Sequence, residues 1–263
     1  MVLLLRPMSI AEQVFIFFFG AVIGSFLNAV IWRLRTRESF IVGRSYCPQC
    51  RETLEAVDLV PIVSYLMLCG RCRHCRKAIG PQYLWVELAV AAAFLLAARV
   101  WPPVAAFGIS HLLLAWYAIA ILTVVFVYDL RYFLVLRSVT LPATVILALG
   151  NLWLGYRWSL LAIGMIVAGG FFWLQHTLSK GRWVGGGDMY IGLLMGAILG
   201  WPMVLVALLL AYVSGAAVGL VLLAAKRKQL KSQLPFGPFL AAATLVTLLY
   251  GQPLVDWYLG LLL

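Results

Sequence analysis

Of the nine acidic residues in this chain, only Asp129, Asp188 and Asp256 follow residue 100. Asp129 closes the apolar run VVFVYDLRYF, and Asp188 stands at the mouth of another, GGGDMYIGLLMGAILG. A carboxylate within a bilayer costs about 2.5 to 3.5 kcal/mol on insertion scales, so such residues usually face a protein interior and serve a function. Asp256 falls near the end of the last apolar run, where hydration makes a carboxylate cheap. If Asp129 and Asp188 were brought close, the charge of one would keep a proton on the other. The pair would then supply a base to activate water and an acid to protonate a leaving amine, which is the chemistry of aspartyl proteases. Gly185, Gly186 and Gly187 ahead of Asp188 read as an active-site loop that turns sharply and admits an extended peptide. Two other readings stand beside this one. Each Asp caps a helix or pairs with Arg131 or Arg137, or the two bind a cation or proton along a transport path.

The second group with chemistry is sulfur. CPQC holds Cys47 and Cys50, and CRHC holds Cys72 and Cys75, with 21 residues between the pairs. Two C-x-x-C turns let four thiolates converge tetrahedrally on one zinc, at a spacing just beyond the usual zinc-ribbon range. Cys69 also makes a C-x-x-C with Cys72, but it follows the apolar YLML and reads as a buried packing residue. His74 reads as a solvated loop residue. A fifty-residue insert with so small an apolar core would draw much of its folding free energy from the metal.

The elements that must position these groups are membrane helices. The chain is 64% hydrophobic and 11% charged, with a mean hydropathy of +1.01, so it has too little polar surface to cover a soluble globule. The expected fold is an all-α polytopic membrane protein, with spans at about 9–32, 83–100, 104–128, 133–156, 158–178, 188–200, 202–225 and 235–262. The sixth is short for a full span and must tilt, begin earlier or be shielded by its neighbours. The domain plan is a first transmembrane helix at 1–32, a cysteine-rich zinc-binding insert at 33–82, and a helix bundle with the carboxylates at 83–263. Residues 1–32 lack the small-residue cleavage site of a signal peptide and read as a helix that stays in place. With the N-terminus outside, the insert and the connections near 131, 180 and 226 face the cytoplasm. They then carry 17 of the 20 Lys and Arg residues, leaving Arg6, Arg99 and Arg157 outside. The net charge of +11 is therefore that of cytoplasmic loops rather than of a nucleic-acid binder. It also places both aspartates at the cytoplasmic membrane boundary. Trp101, Trp153, Trp158, Trp201 and Trp257 fall at the opposite, outer interface, and KRKQLK at 226–231 reads as an anchor to anionic lipid headgroups.

In order and spacing, GSFLNAVIWR (24–33), the cysteine pairs, DLVPIVSYLML (58–68), YLWVE, Asp129, the G-x-G-D at 185–188 and LPFGPF (234–239) together resemble the bacterial type IV prepilin peptidases. These are bifunctional leader peptidases and N-methyltransferases. The resemblance implies that Asp129 and Asp188 are the catalytic pair of a G-x-G-D aspartyl protease in the bacterial inner membrane. Its substrates would be type IV prepilins or pseudopilins of pilus or secretion systems. It also implies cleavage of a short basic leader after a glycine at the cytoplasmic face, then methylation of the new N-terminus from S-adenosylmethionine. The chain departs from the family's common pattern twice. Leu136 and Arg137 stand where a Pro-Asp pair is usual, and Tyr190 where a Lys is usual.

Other polar residues near the helix ends carry weaker expectations. Ser25 and Asn28 are read as hydrogen-bonding to neighbouring helices or contacting substrate or cofactor. Glu87 is expected to pair with a basic loop residue. LPFGPF is expected to open the last helix or line a groove beside Asp188.

Overall fold

The computed structural model describes residues 8–39, 43–102, 106–225 and 234–262. Arg6, part of the first segment and the basic run at 226–231 lie outside them. Helices stand at all eight expected places: α1 (Ile10–Thr36), α3 (Gln82–Val100), α4 (Ala106–Tyr132), α5 (Arg137–Trp153), α6 (Trp158–Ser179), α7 (Asp188–Leu199), α8 (Met203–Ala224) and α9 (Gly237–Leu262), with a short α2 (Val63–Met67) in the insert. Six are long and apolar enough to cross a membrane. α5 and α7, at 17 and 12 residues, are shorter. The chain is a multi-pass membrane protein, and among the described residues it has no strand, only two isolated bridges in the insert. Trp153 and Trp158 bound α5 and α6, are largely exposed, and fit an aromatic belt.

The chain divides into two compact units, Met1–Leu112 and Leu113–Leu263. In the first, a capping box starts α1: the Ser9 hydroxyl accepts from Glu12 N–H at 3.2 Å, and the Ser9 N–H donates to the Glu12 carboxylate at 2.7 Å. Gly20 and Gly24, four apart on one face, then let α1 lie against α3. A Cβ at either would come within 2.8 Å of the Cα of Ala91 or Glu87. This is the small-xxx-small contact of membrane helices, in which backbones approach because no side chain intervenes.

The second unit is built around α7. Ile191, Leu194, Met195 and Ala197 on this helix are fully buried, with α6, α5, α8 and α9 packed around it. That burial resolves the short sixth span. α7 is enclosed by protein, so it need not match the thickness of the bilayer. Its closest neighbour is α6. A Cβ on Gly192 would meet Ala168 O at 2.7 Å, and one on Gly196 would run into the backbone of Met165 and Gly164. Gly196→Ala is therefore expected to destabilise the protein by about 1–3 kcal/mol through overpacking. Gly170→Ala on α6, where a Cβ meets nothing within 4 Å, is expected to be neutral or to stabilise by up to about 1 kcal/mol. Unfolding midpoints of the two variants in the same detergent would show the opposite signs.

Candidate functional site

Asp129 lies in the last turn of α4 and Asp188 is the first residue of α7, and both are buried. The start of α9 touches both of their helices. The Gly237 N–H donates to Asp129 Oδ2 at 2.9 Å. A Cβ on Gly237 would lie 2.6 Å from that oxygen and 3.0 Å from Cδ1 of Ile191, one turn beyond Asp188. The two carboxylates are near enough for the charge of one to act on the other. Neither takes a hydrogen bond from Arg131 or Arg137: Asp129 is held by Gly237 N–H, and Asp188 Oδ2 by Gly185 N–H at 3.2 Å. LPFGPF thus opens α9, as expected, and presents a main-chain donor to Asp129. Gly237→Ala must push the Asp129 carboxylate aside, and with Asp129 as a catalytic acid, the role proposed below, a misplacement of about 1 Å is expected to lower turnover about 100-fold. Steady-state cleavage by the purified variant, with α9 still inserted, would measure it.

The turn expected at the three glycines is present, closed by the Asp188 N–H donating to Gly185 O at 3.1 Å, while the left-handed backbone of this return lies earlier, at Lys180 (φ 51) and Gly181 (φ 76). Gly185, Gly186 and Gly187 do not have positive φ. Gly187 is instead needed for closeness, since a Cβ there would sit 2.7 Å from Val135. Sequence reasoning missed His176, near the end of α6, whose ring lies inside this return with Nδ1 3.0 Å from Val184 O. An ionisable residue late in an apolar helix, eleven positions before the last glycine, was the available signal. The two departures from the family pattern also meet. The Arg137 guanidinium carbon lies 4.8 Å from the centre of the Tyr190 ring, a cation–π pair joining α5 to α7.

In the insert, the two cysteine turns have the same construction. Cys47 N–H donates to Glu52 O, and Cys72 N–H to Lys77 O. Arg51 and Arg76 return their N–H groups to the carbonyls of Cys47 and Cys72. Both arginines adopt left-handed backbone, φ 60 and φ 58, and the turns are closed by the bridges Tyr46–Thr53 and Arg71–Ala78. The result brings Sγ of Cys47, Cys50, Cys72 and Cys75 within 4.8 Å of one another, with Cys47 and Cys75 at 3.9 Å. A tetrahedral site with metal–sulfur bonds of about 2.3 Å requires sulfurs about 3.8 Å apart, so the donor set fits. Burial alone would raise the Cys47 thiol, but hydrogen bonds from the Cys50 and Gln49 backbone and from neighbouring thiols bring it down to about 7. For Cys50 the Glu52 backbone contact acts downward, but burial and the surrounding thiols hold it up at about 11. One thiolate forms readily and makes the next harder to form, because like charges so close oppose each other. Cys69 is exposed rather than buried, adopts φ 50 and stands outside the cluster.

Glu87 does not pair with a basic residue. Its Oε2 accepts the Ile62 N–H at 2.7 Å, and Ser25 bonds to the same carboxylate. Ile62 has φ 65, a conformation costing a β-branched residue about 1–3 kcal/mol. The buried carboxylate offsets that strain and ties the start of α2 to α3. Asn28 Nδ2 donates to Tyr83 O at 3.1 Å, and Gln82 donates to Asn28 Oδ1 at 3.4 Å, so the α1 amide joins neighbouring helices. Within the insert, Arg73 pairs with Asp58 at 2.8 Å.

Similarity to known proteins runs along most of the chain. The bacterial Peptidase A24 N-terminal domain matches residues 18–101, and the type IV leader peptidase family matches residues 116–220. A prepilin leader peptidase/N-methyltransferase of Burkholderia pseudomallei (strain 1026b) is 36% identical, over 89% of this chain and 84% of the relative. One from Aeromonas salmonicida (strain A449) is 31% identical over 94% of each chain. Another, from Bacillus subtilis (strain 168), is 31% identical over 94% of this chain and 98% of its own length. No solved structure matches the chain. With a buried pair of acids on α4 and α7 and relatives that align along nearly its whole length, the chain belongs to the type IV leader peptidase family.

Proposed function

We propose that this protein is an inner-membrane aspartyl endopeptidase that removes the leader from type IV prepilins or pseudopilins and then N-methylates the new N-terminus. The observation that carries the reading is that Gly237 holds Asp129 beside the turn of α7 that follows Asp188, with both acids buried. With one carboxylate ionised and the other protonated, the ionised group takes a proton from water as its oxygen attacks the scissile carbonyl carbon. The protonated group then gives its proton to the leaving nitrogen, and the C–N bond breaks into a leader carboxylate and a free amine. Gly237 and Gly185 hold the acids by main-chain donors in a site largely closed to solvent.

The orientation with the N-terminus outside sets this chemistry at the cytoplasmic face, where the positive-inside rule places the basic connections. Zinc held by Cys47, Cys50, Cys72 and Cys75 would fix the fold of the insert. S-adenosylmethionine would supply an electrophilic methyl group to the amine. The buried polar side chains Asn28 and Glu87 do not fit as an open cradle for it, because they are already bonded to Tyr83, Gln82, Ile62 and Ser25. The transport alternative has no support among the relatives.

Mass spectrometry of a pilin co-expressed with this protein tests both activities. A shortened chain carrying one added methyl group is the expected product, and an uncut precursor would remove the reading.

A further inference from the structure

His176 and Asp188 are joined through a single peptide unit. The His176 ring nitrogen Nδ1 lies 3.0 Å from Val184 O. A carbonyl oxygen only accepts, so Nδ1 carries the proton and donates it. The Gly185 N–H on the same planar peptide unit donates to Asp188 Oδ2 at 3.2 Å. The carbonyl and N–H of a trans peptide point in opposite directions and turn together. Fixing the carbonyl end therefore fixes the direction of the N–H. If that peptide flipped, it would aim a carbonyl oxygen at the carboxylate instead of a donor.

The ring is itself held in place. His176 O accepts the Gly181 N–H at 2.8 Å and the Ser179 hydroxyl at 3.3 Å, which closes the end of α6 beneath the return. Glycine is required above the ring at Gly181, where φ is 76 and a Cβ would stand 3.1 Å from His176 Cε1. A Cβ at Gly186 would stand 3.4 Å from the same atom. From these contacts we infer that His176 is a positioning residue for Asp188: its Nδ1–H locks the Val184–Gly185 peptide so that the Gly185 N–H meets the carboxylate. The inference rests on Asp188 being one of the catalytic acids.

The test uses which nitrogen of the ring matters. In asparagine the amide NH2 occupies nearly the place of imidazole Nδ1, whereas in glutamine it reaches toward the place of Nε2. The full-length protein in detergent, given a purified prepilin, is assayed as wild type, His176→Asn, His176→Gln, His176→Leu and Asp188→Asn. His176→Leu and His176→Gln are expected to lower kcat about 10- to 100-fold with little change in KM, and His176→Asn to recover most of that loss. A ring that only fills space predicts the reverse order for the two amides, because glutamine is closer to histidine in size. Full kcat in the leucine variant, or an asparagine variant no better than glutamine, overturns the inference. Should the leucine variant not fold, the comparison of the two amides decides alone. The Asp188→Asn arm keeps the two readings apart: if it cleaves normally, the catalytic assignment of Asp188 has failed, whatever His176 does.

Discussion

Replacing either Asp129 or Asp188 by Asn is expected to abolish leader cleavage while leaving the protein folded and inserted. Asn has the volume of Asp and can still accept the hydrogen bond that Gly237 or Gly185 donates, so packing is kept. It can neither take a proton from water nor hold one in exchange with a partner. Loss of one member of a concerted acid–base unit typically lowers turnover by about four to six orders of magnitude, and the two losses are not additive. The double variant should therefore be no worse than either single one. Cleavage followed by mass spectrometry on a co-expressed prepilin reads the effect. Methylation can be scored separately by supplying an already shortened pilin, because the amine acceptor no longer depends on the acids. Normal cleavage by either single variant would end the protease assignment.

The second large effect concerns the cysteine cluster. Cys47→Ser or Cys72→Ser, or removal of metal by a strong chelator, is expected to unfold the insert around residues 43–80. Structural zinc contributes an apparent ~10–16 kcal/mol in small domains of this kind, far more than the core of so short a segment supplies. Hydrogen exchange of this segment should rise to the rate of an open chain, and metal analysis should fall from one zinc per chain to none. Acid acts in the same direction. Binding requires thiolates, and Cys47 ionises at about 7 while Cys50 holds its proton to about 11. As pH falls through 7 the metal must displace a proton from Cys47 as well as from Cys50, so affinity is lost on the acid side and regained on the alkaline side. Full protection of the metal-free insert would refute the assignment.

The parts of this molecule legible in the sequence were those that side chains announce. Eight apolar runs marked eight helices because length and hydropathy are local properties, and the equal turns of CPQC and CRHC selected Cys72 with Cys75 over Cys69. The hidden parts work through the backbone. Glu87 was expected to find a basic residue because a cation has a letter in the sequence, whereas its real partner is the N–H of Ile62, which every non-proline residue possesses. The same is true of Gly237, whose contribution is a donor and an absent Cβ. Arg137 and Tyr190 looked like two separate departures, and only the packing of α5 on α7 shows them to be one pair.

The brevity of α7 has a consequence for how water and substrate arrive. Twelve residues of helix measure about 18 Å, against ~30 Å of hydrocarbon, and residues 180–187 that lead into it are non-helical chain with Lys180 and Arg182 exposed. Such backbone persists below the headgroups only where protein or solvent surrounds it. A helix this short, enclosed by protein and led into by exposed polar chain, would bring Asp188 near the point where water enters, so that a prepilin could present its cleavage point there while the greasy segment that follows stays in the lipid.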